Sequence, residues 1–194
     1  CYKDWLRTQT DMFPLPNGYH YSWLVNISQM FSRRAPGNTC MSALMPEESG
    51  STENPINQSK GCGGVMRVVP IGLYFCDKRC SIDNSDAIGA EAAAITHGHT
   101  LGWLPAAALV HIIRKLAENE EETILDAVLD SMEAIKRNYP KTENVDILLS
   151  LMQKAIDLSC SELDDLDAIH LLGQGWVAEE TLANLGAQGG LLHE

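Results

Sequence analysis

The chain has 194 residues, enough for one compact domain, and 45% of them are hydrophobic, as in ordinary soluble proteins. Its 14 Lys and Arg against 26 Asp and Glu give a formal charge of -12, which argues against a nucleic-acid or membrane-surface binder because both need clustered positive charge. No apolar stretch could span a bilayer and no signal-peptide core opens the chain, which starts without Met. We therefore expect a cytoplasmic protein whose residues 1–194 form a single helical domain.

The first third of the chain contains two segments with the composition of loops. Residues 14–18 and 33–60 are rich in Pro, Gly, Asn and Ser, which are typical of turns. Segments of this length inside a compact domain are usually functional or mobile. We predict that both segments lack regular structure.

The rest of the chain predicts helix after helix. Residues 66–75 are apolar on nearly all sides and predict a central helix, with Pro70 causing a kink or a late start. Residues 86–97 are rich in alanine, with Asn84 or Ser85 as N-cap and Gly98 as terminator.

Three further helices follow along the chain. Residues 103–117 predict a helix with Pro105 in its first turn. Residues 122–137 and 143–158 each carry one apolar stripe at helical spacing. The stripes consist of Leu125, Val128, Leu129, Met132 and Ile135 in the first, and Val145, Leu148, Leu149, Met152 and Ile156 in the second.

The six cysteines give no sign of a metal site or a disulfide framework. None belongs to a Cys-x-x-Cys pair, and the one helical pair, Cys76 and Cys80, would need two more ligands to hold zinc. We interpret the cysteines as free buried thiols of a reducing compartment, and this pair as inert.

The segment that carries chemistry is residues 60–67, which read Lys-Gly-Cys-Gly-Gly-Val-Met-Arg. Glycines leave the backbone accessible to a ligand, and a following helix start offers free N–H groups to a phosphate or a ribose hydroxyl. A simple tight turn explains the same residues. The segment is neither a Walker loop nor a dinucleotide fingerprint, because it lacks Gly-Lys-Ser/Thr and any strand–helix alternation.

Four segments stand in the order and approximate spacing of a known pattern, at residues 34–44, 61–73, 95–99 and 175–183. Together they resemble the ADP-ribosylglycohydrolase family. Residues 61–73 resemble its motif Gly-Asn-Gly-Ala-x-Met-Arg-x-x-Pro-x-Gly, and residues 95–99 resemble its Thr-His element. Residues 34–44 resemble the Arg-x-Pro-Gly-x-Thr segment of bacterial members, and residues 175–183 resemble the Gly-x-x-Ala-x-Glu entry to a late core helix. The agreement extends over roughly residues 2–183.

The resemblance implies an all-α fold with a central cleft and hydrolysis at the ribose C1″ of an ADP-ribosyl group, assisted by magnesium. The substrate would be an ADP-ribosylated protein or a small-molecule ADP-ribose conjugate. In the family the glycine loop (here residues 61–66) wraps the diphosphate and distal ribose, and the His of the Thr-His element lies beside the ligand. The implied substrate-binding residues are Gly61, Cys62, Gly63, Gly64, Val65, Met66 and His97.

The chain departs from the family at its metal-ligand segments. Both the Thr-Asp-Asp and the Asp-x-Asp-Thr/Ser segments are absent, so we assign no metal ligand and no catalytic residue. Residues 164–167 imitate the second segment, but we interpret them as solvated surface. Residues 184–190 should not continue an apolar helix. We therefore expect a fragment, incomplete at both ends, that is itself inactive although its parent enzyme uses Mg²⁺.

Several single residues have a structural reading beside the functional one. His97 could contact a ligand or, as a cation, complement a helix C-terminus. We expect Arg67 to pair with an acid, Met66 to be core, and His99 and His111 to be structural. Glu179 and Glu180 suit a helix start. All four tryptophans are predicted to be core, with Trp176 the one to test as an adenine stack.

Two alternatives to an enzyme remain open. A relative could keep the fold, lose catalysis and bind ADP-ribose or act as a structural, crystallin-like protein. A plain helical interaction domain could contain the glycines by coincidence. Binding of ADP-ribose would separate the enzyme and its catalytically dead relative from the plain helical domain.

Overall fold

The computed structural model describes residues 1–16, 18, 20–77 and 80–186. Within these residues the fold is all-α, as predicted, and its only sheet-like pairing is one isolated antiparallel bridge between Gly61 and Val177. The helices are α1 (Tyr2–Thr10), α2 (Asn38–Leu44), α3 (Val69–Tyr74), α4 (Ile82–Ala94), α5 (Thr100–Glu118), α6 (Ile124–Asn138), α7 (Val145–Ser159), α8 (Asp165–Leu172) and α9 (Ala178–Gly186). Single 3₁₀ turns occupy Trp23–Asn26, Ser28–Met30 and Val65–Arg67.

Helix α5 is the centre of the structure, because α3, α4, α6, α7 and α9 all pack against it. Residues 101–112 of this helix are buried without exception, which leaves no polar face. Glycines let two neighbours approach closely. A Cβ at Gly89 of α4 would lie 2.6 Å from Val110 Cγ2, and one at Gly72 of α3 would lie 2.9 Å from the Val110 carbonyl oxygen.

The two amphipathic helices confirm the periodicity prediction. Helix α6 begins after Thr123, whose hydroxyl accepts a hydrogen bond from the Asp126 N–H at 3.0 Å. Of the predicted stripe, Val128, Met132 and Ile135 are buried. The prediction that Leu129 is buried is wrong, because its side chain is 42% exposed.

The predicted boundaries of α4 and α5 need correction. Helix α4 starts earlier than expected, at a cap formed by the Ser81 hydroxyl, and ends at Ala94 rather than at Gly98. Helix α5 also starts early, after His99, whose Nδ1 accepts a hydrogen bond from the Leu101 N–H at 3.0 Å. Because of this early start, Pro105 lies in the second turn instead of the first.

The prediction of a helix within residues 66–75, with a late start at Pro70, is confirmed, but its predicted central position is wrong. A 3₁₀ turn precedes α3, which begins only at Val69 with Pro70 in its first turn, as the late start predicted. The helix lies at the periphery and exposes Leu73 and Tyr74. An apolar composition on all sides predicted burial, but this six-residue helix packs against α5 and α4 and leaves Leu73 and Tyr74 exposed.

Two loop predictions were also too broad. Helix α2 interrupts the segment 33–60. The late helix α9 continues through residues 184–186, where we expected it to fail. Residues 187–190 of that prediction, and Asn17 of the turn at 14–18, lie outside the described residues.

All six cysteines are free thiols, but they are less buried than predicted. Cys1 and Cys160 are exposed, and the other four are half-buried. Helix formation does not bury them, because each lies at or near an element end or in a loop. No helix within the described ranges is both long and apolar enough to cross a membrane.

Candidate functional site

The glycine loop runs beside the segment that leads into α9. The Cys62 N–H donates to the Trp176 carbonyl oxygen at 3.2 Å, and the Ala178 N–H donates to the Lys60 carbonyl oxygen at 2.9 Å. These two bonds flank the bridge between Gly61 and Val177. They join segments more than a hundred residues apart and fix the position of the loop.

His97 lies against the glycine loop, in van der Waals contact at Gly61 and more tightly at Gly63. The residue follows α4 and is only 2% exposed. A Cβ at Gly61 would lie 3.5 Å from His97 Nε2, and one at Gly63 would lie 3.3 Å from His97 Cε1. The structure therefore brings together the two elements that the sequence singled out separately.

Gly64 has a packing role that the sequence did not reveal. A Cβ there would lie 3.1 Å from both the Ala93 Cβ of α4 and the Gly102 carbonyl oxygen of α5. The backbone of the loop thus rests directly on two helices. A tight turn accounts for this glycine whether or not a ligand binds.

The N–H groups of Gly63 and Gly64 have no hydrogen-bond acceptor in the described part of the chain. Buried or half-buried peptide N–H groups are normally paired, so groups without an acceptor are candidates for a ligand. Successive peptide N–H groups can bind anionic oxygens without any basic side chain. That property suits a protein with a formal charge of -12.

Arg67 does not pair with any acid in the part of the chain that the structure describes, contrary to our expectation. Its Nη2 donates to the carbonyl oxygens of Ala92 and Ala93, at 2.5 and 3.3 Å, and to the Thr96 hydroxyl at 2.7 Å. Its guanidinium also lies 4.9 Å from the ring centroid of Tyr2. The Ala93 carbonyl oxygen already accepts the His97 N–H at 3.0 Å, so the Arg67 guanidinium chiefly serves the Ala92 carbonyl oxygen near the C-terminal end of α4.

The electrostatics of His97 correct the interpretation of a cation at a helix end. Burial, and secondly the positive charge of Arg67, lower the pKa of His97 to about 4. The ring is therefore neutral near pH 7. A buried imidazole with a cation nearby and no carboxylate partner among the described residues favours its neutral form.

Three exposed side chains overturn core predictions. Met66 is 68% exposed, Trp176 is 76% exposed and Trp23 is 71% exposed, whereas Trp103 is buried as predicted and Trp5 is half-buried. Met66 and Trp176 belong to the paired loop segments, where the backbone packs and the side chains point outward. Val65, between Gly64 and Met66, is buried in the core.

The sequence missed the importance of Glu179. This residue opens α9 as predicted, but it is 5% exposed and its Oε1 pairs with the Lys60 Nζ at 2.5 Å. Its Oε2 has no described partner. The sequence could not single out Glu179, because Glu180 follows it directly and both are acids at a helix start.

His99 and His111 are structural, as predicted. His99 caps α5. His111 lies between two carboxylates, with its Nδ1 2.7 Å from Asp86 Oδ2 and its Nε2 3.4 Å from Asp130 Oδ2. The acidic residues 164–167 lie on the surface, also as predicted, and Asp164 caps α8.

The described residues do not fit a magnesium site. Mg²⁺ requires several oxygen ligands, and no group of three or more His, Cys, Asp or Glu within the described ranges is arranged to hold an ion. We assign no catalytic step to a metal in these residues.

An apolar cavity between α5, α6, α7 and α9, lined by residues such as Leu109, Met152 and Leu182, is separate from the glycine loop.

Comparison with known proteins supplies one match. The model of the ADP-ribosylglycohydrolase family matches residues 1–189, almost the whole chain. Neither the curated proteins nor the solved structures contain a match.

Proposed function

The chain belongs to the ADP-ribosylglycohydrolase family, and we propose that its glycine loop and His97 bind the ADP-ribosyl group of a modified protein or a small-molecule conjugate. The reaction that we propose for this protein is hydrolysis of the N- or O-glycosidic bond to ADP-ribose, with no step assigned to magnesium because the described residues do not fit its site. The family match supports a hydrolase of this type. The substrate and the binding residues are our proposal.

The observation that carries the proposal is the pair of N–H groups at Gly63 and Gly64, which lie beside His97 and have no acceptor among the described residues. A diphosphate offers several acceptor oxygens, and peptide N–H groups bind them at fixed positions. Lys60 contributes little free charge, because Glu179 already pairs with it. We therefore expect ADP-ribose binding that depends on backbone geometry and only weakly on salt.

Calorimetry with ADP-ribose tests this proposal. In Gly63→Val the new side chain meets His97, since even a Cβ would lie 3.3 Å from His97 Cε1. We expect affinity to fall at least about tenfold, or 1.4 kcal/mol. Gly37→Val is the matched control, because it adds the same side chain at a position where a Cβ meets nothing within 4 Å. Equal affinities in wild type and Gly63→Val, or no binding by either, would contradict the proposal.

A turnover assay distinguishes an enzyme from a binding protein. We expect residues 1–194 alone to release no ADP-ribose from an ADP-ribosylated protein, with or without Mg²⁺, because their sequence lacks both carboxylate segments of the family. Binding without turnover agrees with this expectation. Turnover stimulated by Mg²⁺ would show that other groups of the chain hold the ion.

A further inference from the structure

The hydroxyl of Thr96 joins Arg67 to the imidazole of His97. Arg67 Nη2 lies 2.7 Å from Thr96 Oγ1, which lies 2.8 Å from His97 Nδ1. Thr96 is fully buried, at 0% exposure. The three groups form a continuous chain of hydrogen bonds, and solvent cannot replace the central one.

The direction of each hydrogen bond follows from what each group can donate. A guanidinium only donates, so Thr96 Oγ1 accepts from Arg67. The buried hydroxyl must then donate its own hydrogen. Among the described residues the acceptor within reach is His97 Nδ1. An Nδ1 that accepts carries no proton, so the proton of the neutral ring lies on Nε2.

We propose that Arg67 and Thr96 are positioning residues that hold His97 as a neutral Nε2–H donor facing the glycine loop. The Nε2 edge is the one next to Gly61 and Gly63, whose Cβ positions would lie 3.5 and 3.4 Å from it. No described residue accepts a hydrogen bond from Nε2. The donor is thus available beside the two unpartnered N–H groups of the loop.

This assignment narrows what His97 does for a ligand. A ring protonated on Nε2 donates to a hydroxyl or phosphate oxygen, and it cannot accept a proton at that atom as a general base. The role toward ADP-ribose rests on the proposed function. The tautomer itself belongs to the ligand-free protein and can be measured without any ligand.

Long-range ¹H–¹⁵N correlation spectra of the chain, labelled with ¹⁵N-histidine, test the tautomer at pH 7. The His97 signals are assigned as those missing from His97→Gln. We expect an unprotonated Nδ1 and a protonated Nε2 in the ligand-free wild type. A proton on Nδ1, alone or together with one on Nε2, overturns the proposal. This measurement needs no variant of Arg67 or Thr96 to fold.

Two variants test whether the hydroxyl sets the tautomer. Thr96→Val keeps the side-chain shape but loses the donor, so we expect its His97 signals to move toward the average of both tautomers. Thr96→Ser keeps the hydroxyl and should give the wild-type pattern. A wild-type pattern in Thr96→Val would show that the chain of hydrogen bonds through the Thr96 hydroxyl does not position His97.

Addition of ADP-ribose separates this proposal from the proposed function. Binding at the site should shift the Nε2 resonance of His97 while Nδ1 stays unprotonated. A ligand-free spectrum with the expected tautomer and no response to ADP-ribose would support the positioning of His97 by Thr96 and count against the proposed function. A response to ADP-ribose in a ring protonated on Nδ1 would do the reverse.

Discussion

His97 and His111 are equally buried, each at 2% exposure, yet their surroundings favour opposite charge states. Burial disfavours the charged form of both rings. At His111 this effect is outweighed by hydrogen bonds to Asp86 and Asp130, which raise its pKa. At His97 no carboxylate of the described residues opposes the effect of burial, and the cation nearby is Arg67, so the pKa falls to about 4.

The comparison shows that burial alone does not determine the charge of a histidine; its partners do. The His111 region joins three helices, α4, α5 and α6, through charge. The His97 region joins the end of α4 to the glycine loop through one cation, Arg67, which donates to carbonyl and hydroxyl oxygens and meets no carboxylate among the described residues. A charged network suits a structural joint, whereas a neutral donor beside free N–H groups suits a site for an anionic ligand.

Loss of the charged network of His111, Asp86 and Asp130, called here the charged joint, should have the largest effect on stability. His111→Leu leaves the Asp86 carboxylate buried without its closest partner, and we expect unfolding free energy to fall by about 3–5 kcal/mol in chemical denaturation. The double variant Asp86→Val/His111→Leu removes both charges and should recover part of the loss. A single variant as stable as wild type would show that the pair carries no charge.

Acid should weaken the His97 region selectively. The pKa of His97 falls from 6.5 to about 4 on folding, so its contribution is present above pH 6.5 and is lost as pH falls to about 4, a loss of up to about 3 kcal/mol. His97→Gln cannot titrate, so its stability relative to wild type should rise over this range. A constant difference between the two proteins from pH 7 to pH 4 would contradict the shift.

The pH dependence of the other histidine has the opposite sign. The pKa of His111 is raised, so its stabilisation is full below pH 6.5 and is lost as pH rises through the folded-state value. Denaturation above pH 6.5 should therefore reveal a decline that His111→Leu lacks.

The variant Gly64→Ala tests how tightly the glycine loop near His97 packs on α4 and α5. The new Cβ would lie 3.1 Å from a Cβ of α4 and from a carbonyl oxygen of α5, and we expect a cost of about 1–3 kcal/mol. Gly37→Ala is the control, because its Cβ enters open space; it lies at the N-cap of α2, where Ala is less favourable than Gly, and should cost at most about 1 kcal/mol. Equal stabilities of the two variants would mean that the loop can move away from the helices.

The smallest effect is expected at the rim of the charged joint. Asp130 is partly exposed and contacts both His111 and Lys115, so Asp130→Asn should cost about 0–1 kcal/mol. NMR titration should show a lower pKa for His111 that still exceeds that of His97. A loss as large as that of His111→Leu would place Asp130, and not Asp86, at the centre of the network.

The success of the sequence predictions depended on how local each signal is. The apolar periods of α6 and α7 predicted both helices within a few residues, because each stripe is set by its own segment. The glycine motif and the Thr-His element were identified from neighbouring residues alone. Burial of Met66 and Trp176 was predicted wrongly, because their exposure depends on how two distant segments pair.

Sequence by itself determined the helical class, the family resemblance and the residues of the glycine loop, all of which are patterns among near neighbours. Only the tertiary structure decided that His97 lies against that loop, that Glu179 meets Lys60 across 119 residues, and that His111 lies between two carboxylates. The physical reason is that charge state and hydrogen-bond direction depend on partners in space, and helix packing chooses those partners.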